Sequence, residues 1–593
     1  MSDAAPPPAR LDALRVAAFA SLVQVAQLFA LRGDPTVRGP VIDGWTFHLD
    51  AARLAAGGPA GSGLYWQSPW FVWVLAGVYR VVGADPARGL WLTAGCAVLC
   101  AALVHALAAR CGLSRRGALA AGIVAALYGP LLFFSAQLIA APLDAAAALV
   151  ALLAAMRAGP GDAPRRHALA GLALGFAAAQ RGTVWPFALY GLGTLWAARA
   201  SLGARAAGVR AGVYLLGAAA AQIPVAVGNL RRAGTFTTLT TNAGVNLWIG
   251  NNPDLAHTTA VRPGCGWDWL TLTPIRHGVF SSVGRSRWFT LEALRWALEH
   301  PGAAALGTLK KLSDALNGLE VARNLDPYGD LARTPLNAAL LGREGLRVPF
   351  GLVLPLAVVG AWALAREGDR RREGRALVAF AALNALGVAL FLPAGRYRLG
   401  LALALIPAAV VGAQRLVAAA RRSRATPGGV LLGALAVAVY ANLAPRFTGP
   451  DLARADDLLR AEALLNARAL PAARAMLERS LGASPRDTDR WALLARVCAA
   501  SGDLACAEQA MQRAITLEPR CYDVAARLGA LRLSRGDARG AIDAFERSIR
   551  VVPMQPSTWF GLAAARELAR DPAGAARART VGERLRASIV RAP

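Results

Sequence analysis

Long apolar runs alternate with short basic loops over the first three quarters of the chain. The runs fall at 11–32, 87–109, 115–134, 138–157, 166–182, 184–199, 208–228, 347–365, 376–393, 398–416 and 427–444. A bilayer-spanning helix needs about 20 apolar residues, so the pattern predicts an all-α bundle of about 11 transmembrane helices. "PWFVWVLAGVYRVVG" (69–83) is apolar but shorter. It predicts a helix lying at the interface, with Trp70 and Trp73 as headgroup anchors. "PVIDGWTFHLDAARLAAGG" (40–58) follows the first run and is amphipathic. Phe47, Ala51 and Leu54 share one face by i, i+4, i+7 spacing, and acids stand at Asp43 and Asp50.

The loops at 110–116, 157–166, 199–210, 366–375 and 415–424 are all basic. In an 11-span bundle they fall on one side, the cytoplasmic side by the positive-inside rule. Segments 33–86 and 229–346, and the tail from about 446, then lie outside. Arg10 and Arg15 flank the first run without a small-residue cleavage site, which predicts an uncleaved signal-anchor. This topology predicts a bacterial inner (plasma) membrane protein with its large loops and tail in the periplasm.

The formal charge is +28 over 593 residues, 55% of them hydrophobic. In a soluble protein that charge would suggest nucleic acid. Here it sits in the short loops, and no basic and aromatic stripe marks a soluble segment. Membrane lipid, not nucleic acid, is the expected partner.

The tail repeats itself. Pro485, Pro519 and Pro553 are 34 residues apart, as are Ala473, Ala507 and Ala541. Gly502 and Gly536 share the period, and so do Leu477, Met511 and Phe545. Trp491 and Leu494 open one unit and Trp559 and Leu562 a later one. The pattern resembles the tetratricopeptide repeat. The resemblance implies stacked helix pairs, with Ala at the close approaches and Pro ending each second helix. Units fall at about 454–487, 488–521 and 522–555, with a degenerate fourth as a cap. The expected domains are therefore 1–445 and 446–593.

Seven cysteines include no CxxC pair and no Cys/His cluster, so no metal site is expected. Cys96, Cys100 and Cys111 read as small core residues. Cys498 and Cys506 fall on the facing helices of one repeat, where a bridge and two buried thiols both remain open. The histidines at 105, 257, 277 and 300 lack ligand spacing. No Walker loop, dinucleotide fingerprint or nucleophile elbow is present, and no cofactor is expected.

Read from spacing alone, Asp43 is a helix N-cap at a membrane edge. Several segments taken in order change that reading. "VIDGWTFHLDAARLAAGG", "YWQSPWFVWVLAGVYRVVG", "ALYGPLLFFSAQLIAAPLDAAAAL", "GLALGFAAAQRG", "GNLRRAGTFTTLTTNAGVNLWIGNNP" and "FLPAGRYRLGLALALIP" together resemble the GT-C glycosyltransferases. The branch they resemble is that of the bacterial protein mannosyltransferases and lipid A aminoarabinose transferases, over about 11–445.

The resemblance implies a polyprenyl-phosphate sugar donor and hexosyl or pentosyl transfer to a protein, glycan or lipid acceptor. It makes Asp43 the general base. His48 and Asp50 become candidates to assist it. Arg396, Arg398 and Arg181 become candidates for the donor phosphate, because a guanidinium gives directed hydrogen bonds to phosphate oxygens. Asn251 and Asn252, in "IGNNP", either shape a turn or hold sugar hydroxyls. Many relatives carry Glu directly after the first-loop Asp; here Gly44 stands in that place, so a second acid is missing or comes from elsewhere. The repeats would bind a protein partner.

Other readings fit less well. A lipid-linked glycan polymerase or ligase places its functional loop late in the chain. A transporter or flippase predicts ionisable residues within broken, repeated spans, and Asp144 is the one acid well inside a run. A scaffold would need only one span.

Overall fold

The computed structural model describes residues 7–58, 61, 63–261, 263–366, 370–421, 426–447 and 456–591. Every regular element among them is a helix. All eleven predicted runs are helical, but they differ in length. Arg10–Ala30, Pro86–Arg110, Arg371–Leu390 and Gly395–Ala420 are each long and apolar enough to cross a bilayer. Arg115–Ala126 with Gly129–Ser135, and Ala204–Ala220 with Ile223–Ala233, are bent pairs that raise the number to six.

The remaining runs form shorter helices, of which Ala141–Arg157, Pro164–Gln180 and Phe350–Arg366 have 17 residues each. Seventeen residues rise about 26 Å, short of the hydrocarbon core of about 30 Å. Among the described residues, four to six helices satisfy length and composition, fewer than the eleven expected.

Small residues let the bundle close. Phe350–Arg366 lies along Gly395–Ala420. A Cβ on Gly360 would meet the Ala408 carbonyl oxygen at 1.8 Å, and one on Gly412 the Leu356 carbonyl oxygen at 2.0 Å. The backbones touch there, as small-residue contacts allow in apolar bundles. Tyr128, Phe133, Phe350 and Phe380 fill the interior, while Leu22, Trp196, Leu216 and Leu432 project outward.

The tail is an α-solenoid of four helix pairs. They are Asp456–Asn466 with Leu470–Ala483, Thr488–Ala500 with Leu504–Leu517, Tyr522–Ser534 with Ala538–Val551, and Pro556–Leu568 with Pro572–Arg591. Ala473, Ala507 and Ala541 are fully buried between partner helices. The last three turns repeat one device; the first has Arg468 at φ +63° followed by Ala469, with no capping Asp. Gly502 and Gly536 take φ of +78° and +79°, and the next Asp accepts a backbone N–H three residues on, from Cys506 and Gly540. Glycine pays least for that left-handed turn. The last unit puts Arg570 there instead, at φ +62°. The repeat is degenerate in sequence but not in path.

The solenoid packs on segments 33–86 and 229–346 of the bundle domain. Leu459 and Ala463 join the core of the apolar bundle. Asn466 Nδ2 donates to the Pro40 carbonyl at 2.9 Å, and Asp330 N–H donates to Asp456 Oδ2 at 3.0 Å. A disulfide joins Cys265, in the large loop, to Cys521, in the tail. Cys498 and Cys506 form a second disulfide. The repeat domain therefore meets the first loop three residues before Asp43.

Candidate functional site

Asp43 is the first residue of helix Asp43–Ala55. The residue before it, Ile42, has φ +54°, a left-handed conformation that a β-branched side chain rarely adopts. Strain of this kind persists where surrounding structure imposes it, and it gathers at functional positions. It turns the Asp43 carboxylate away from its own helix, so the carboxylate does not cap it.

Three donors hold that carboxylate instead. Gln67 Nε2 donates to Oδ1 at 2.7 Å. Asn324 Nδ2 and Arg396 Nη1 donate to Oδ2 at 3.0 and 2.5 Å. Burial alone would raise the Asp43 pKa; the Arg396 charge and the three hydrogen bonds outweigh it and hold the carboxyl below its ordinary value. Oδ1 accepts from Gln67 alone in this set, so one of its acceptor directions remains available.

Arg396 opens helix Gly395–Ala420 and also donates to the Tyr397 hydroxyl, at 3.3 Å. Its Nε is buried without a hydrogen-bond partner among the described residues. Arg181 covers the Tyr397 ring at 4.3 Å and pairs with Asp144. Tyr397 is thus a spacer between two of the predicted cations. Arg323 faces the same cavity and donates to the Thr259 carbonyl at 2.9 Å. Burial pulls its pKa down.

Asp43, Arg396, Arg323 and Asn324 line a cavity of about 390 Å³ with Trp66 and Trp267. Around it, Arg181, Arg323 and Arg396 face two carboxylates, Asp43 and Asp144. The excess is one positive charge, which suits an anion.

The other predicted residues lie elsewhere. Arg398 is two residues past Arg396, a rotation of about 200° along the helix. It is buried against Glu320 at 2.7 Å, the Leu319 carbonyl at 3.1 Å and the Phe350 ring. This corrects its expected place beside the donor phosphate: its donors are turned to the protein interior. His48 Nδ1 lies 2.9 Å from the Tyr79 hydroxyl, not against Asp43. Burial holds His48 below its ordinary value.

Asp50 is half-buried and lies 3.7 Å from Arg53, away from the donors of Asp43, so it does not replace the missing acid. The second carboxylate of the cluster is Asp144, reached through Arg181. Gly44 has a packing reason. A Cβ there would lie 3.1 Å from Pro40 Cβ and 3.4 Å from the Leu138 carbonyl oxygen.

Asn251 and Asn252 are occupied by the fold. Asn251 Nδ2 donates to the Leu247 and Leu390 carbonyls, and its Oδ1 accepts from the buried Lys311 at 2.9 Å. Asn252 accepts the Asp254 N–H and donates to Trp248 and Thr258. They make a turn and staple it to the end of helix Arg371–Leu390. Sequence reasoning missed Gln67, Arg323, Asn324 and Trp267. Gln67 alone left a signal, as an amide set among aromatics in "YWQSPW".

The fold and site define an all-helical chain that joins an apolar bundle, carrying a charged cavity, to a helix-pair solenoid. No family model and no curated protein matches the chain. Solved structures share likeness over part of it. A crystal structure of MamA is 18% identical, with a TM-score of 0.22, and covers 28% of this chain and 99% of that one. BtubC (BKLC) from P. vanneervenii is 17% identical, with a TM-score of 0.22, and covers 40% of this chain and 91% of that one. At such scores the solenoid rests on its own 34-residue geometry.

Proposed function

We propose that the chain is a multi-pass membrane glycosyltransferase that moves a sugar from polyprenyl phosphate to an acceptor hydroxyl at the periplasmic face. The observation that carries this reading is Asp43. It is held ionised by Arg396 at 2.5 Å, with an acceptor direction on Oδ1 still available, in a cavity with excess positive charge. Asp43 takes the acceptor proton as that oxygen attacks the anomeric carbon. The bond from that carbon to the phosphate oxygen breaks, and polyprenyl phosphate leaves with the electron pair. Arg396, Arg323 and Arg181 stabilise that anion. Arg398 and Glu320 build the wall behind them.

Eleven spans remain our reading of the topology, with the 17-residue helices crossing where the bilayer thins around the bundle. The outward Leu22, Trp196, Leu216 and Leu432 favour lipid as their surroundings. Two disulfides on the loop-and-tail side favour an oxidising compartment there. The solenoid offers a protein partner a concave surface beside the first loop.

The test is direct transfer. Membranes containing the chain receive radiolabelled polyprenyl-phosphate hexose or aminopentose. The expected result is a labelled product absent from control membranes. Failure with each donor class, at verified protein level, would remove the reading.

A further inference from the structure

The wall of the Asp43 cavity comes from two distant places. Trp66 belongs to the first outer loop; Val261, Pro263 and Trp267 belong to a strap in the second. The two indoles meet edge to face with centroids 6.4 Å apart. Asn242 and Asn246 line the same cavity, and Asn246 Nδ2 donates to Asn242 Oδ1 at 3.0 Å. Asn242 N–H donates to the Trp66 carbonyl at 3.1 Å, so the amide pair and the indole are held together.

Aromatic faces beside amides, a carboxylate and guanidiniums match one ligand chemistry. A pyranose presents C–H faces to rings and hydroxyls to polar side chains. The cavity, at about 390 Å³, lies in the range of roughly 300–1,000 Å³ typical of small-molecule sites.

The strap does not stand alone. Cys265, two residues before Trp267, is bridged to Cys521, which ends the second repeat just before helix Tyr522–Ser534. Its N–H donates to Asp489 Oδ1, in the second repeat, at 3.2 Å. Gly264 sits so close to Asp489 that a Cβ would meet its carboxylate oxygen at 2.4 Å. The repeats thus fix the segment that carries one indole of the cavity.

We propose that the repeat domain completes a saccharide-binding site: Trp66, Trp267 and the Asn242–Asn246 pair form the platform, and the Cys265–Cys521 bridge holds Trp267 on it. The proposal rests on the glycosyltransferase reading for its location beside Asp43. It can fail separately, because it is read by binding and not by turnover.

The experiment uses the full chain in lipid nanodiscs. Two probes are compared by equilibrium binding: a short-chain polyprenyl-phosphate hexose and the same polyprenyl phosphate without sugar. Trp267→Ala should weaken the sugar-bearing probe about tenfold, the loss expected for an aromatic contact of about 1.4 kcal/mol, and leave the bare phosphate unchanged. Trp267→Tyr should restore most of the difference. Cys265→Ser with Cys521→Ser should weaken the sugar-bearing probe in the same selective sense.

An intact Cys498–Cys506 bridge and unchanged elution check the fold of each variant. Equal loss for both probes, loss for neither, or no preference for the sugar in the parent chain would overturn the platform. Trp267-dependent sugar binding without any transfer would support the platform and remove only the enzymatic reading.

Discussion

Asp43→Asn tests the chemistry most sharply, because the structure predicts what the change removes. Three donors converge on the carboxylate, from Gln67, Asn324 and Arg396. Asparagine offers one acceptor oxygen and one NH2. Its oxygen can keep the Asn324 and Arg396 bonds. Its NH2 then faces Gln67, whose amide can turn to present Oε1 instead. Shape and hydrogen bonds survive; the charge does not.

Arg396 keeps its hydrogen bonds to the amide oxygen and the Tyr397 hydroxyl but loses its counter-charge, so the stability cost should sit at the low end for a broken buried pair, about 3 kcal/mol. The rate should fall further, by about 10²- to 10⁴-fold, the contribution of a positioned base. That corresponds to about 2.7–5.5 kcal/mol of barrier.

The assay is the initial rate of sugar transfer at equal amounts of folded protein, followed against pH. The sign is fixed by Asp43 lying below its ordinary pKa. Its base form, and the stability its pairing contributes, are fully present above the ordinary aspartate value of about 3.9. Both are lost as pH falls through the depressed native value. The parent rate should therefore hold from neutrality down to about pH 5 and drop only below the ordinary carboxylate range. The variant should be slow and lack that acid limb. A variant rate within twofold of the parent, or the same acid limb in both, would refute Asp43 as the base.

Other perturbations separate structure from chemistry. Arg398→Gln strips the partner from Glu320, whose side chain is 2% exposed, and should destabilise the bundle by about 3–5 kcal/mol, read as lower protein yield and earlier thermal aggregation; full stability with lost donor binding would return Arg398 to the phosphate site. The two bridges should differ. Loop-closure entropy gives about 5.5 kcal/mol for a separation of 256 residues and about 2.5 for 8, the larger being an upper bound because intervening helices are already ordered. Tryptic release of the tail should accelerate after Cys265→Ser with Cys521→Ser and change little after Cys498→Ser with Cys506→Ser; equal rates would count against the docking. A periplasm-dependent reporter fused after Pro593 should be active, and activity of a cytoplasmic reporter alone would overturn the orientation.

What could be read from the chain followed the range of the forces involved. The 34-residue period is local: Ala473, Ala507 and Ala541 are small because a neighbouring helix one turn away touches them. That part of the fold was visible as helix-pair units with glycines at two of the turns; the Asp after each glycine was not read as a cap. The apolar runs were visible as helices, but which of them cross a bilayer depends on length at the ends and on bends such as that after Ala126, where Gly129-Pro130 marks a break without fixing how far the chain turns. Arg396 and Asp43 are separated by 353 residues, and nothing in their own neighbourhoods announces that they meet. Arg398, two positions on, looks the same in sequence and faces the other way; a helical wheel distinguishes them only once one of the two has been oriented.

The cysteines show the limit in another form. In sequence only Cys498 and Cys506 stood as a candidate bridge, although Cys265 in the loop and Cys521 in the tail complete an even set. Composition could not choose between partners, since Cys498 and Cys506 close a local bridge and leave Cys521 for the distant one. The long-range bridge is the consequential choice. It sets the repeats against the loop that carries Trp267, while Asn466 reaches Pro40 at the other edge of the same contact. The solenoid is thus tied both to the strap that carries Trp267 and to Pro40, three residues before Asp43, so under the proposed function a partner held on the repeats would lie near the carboxylate.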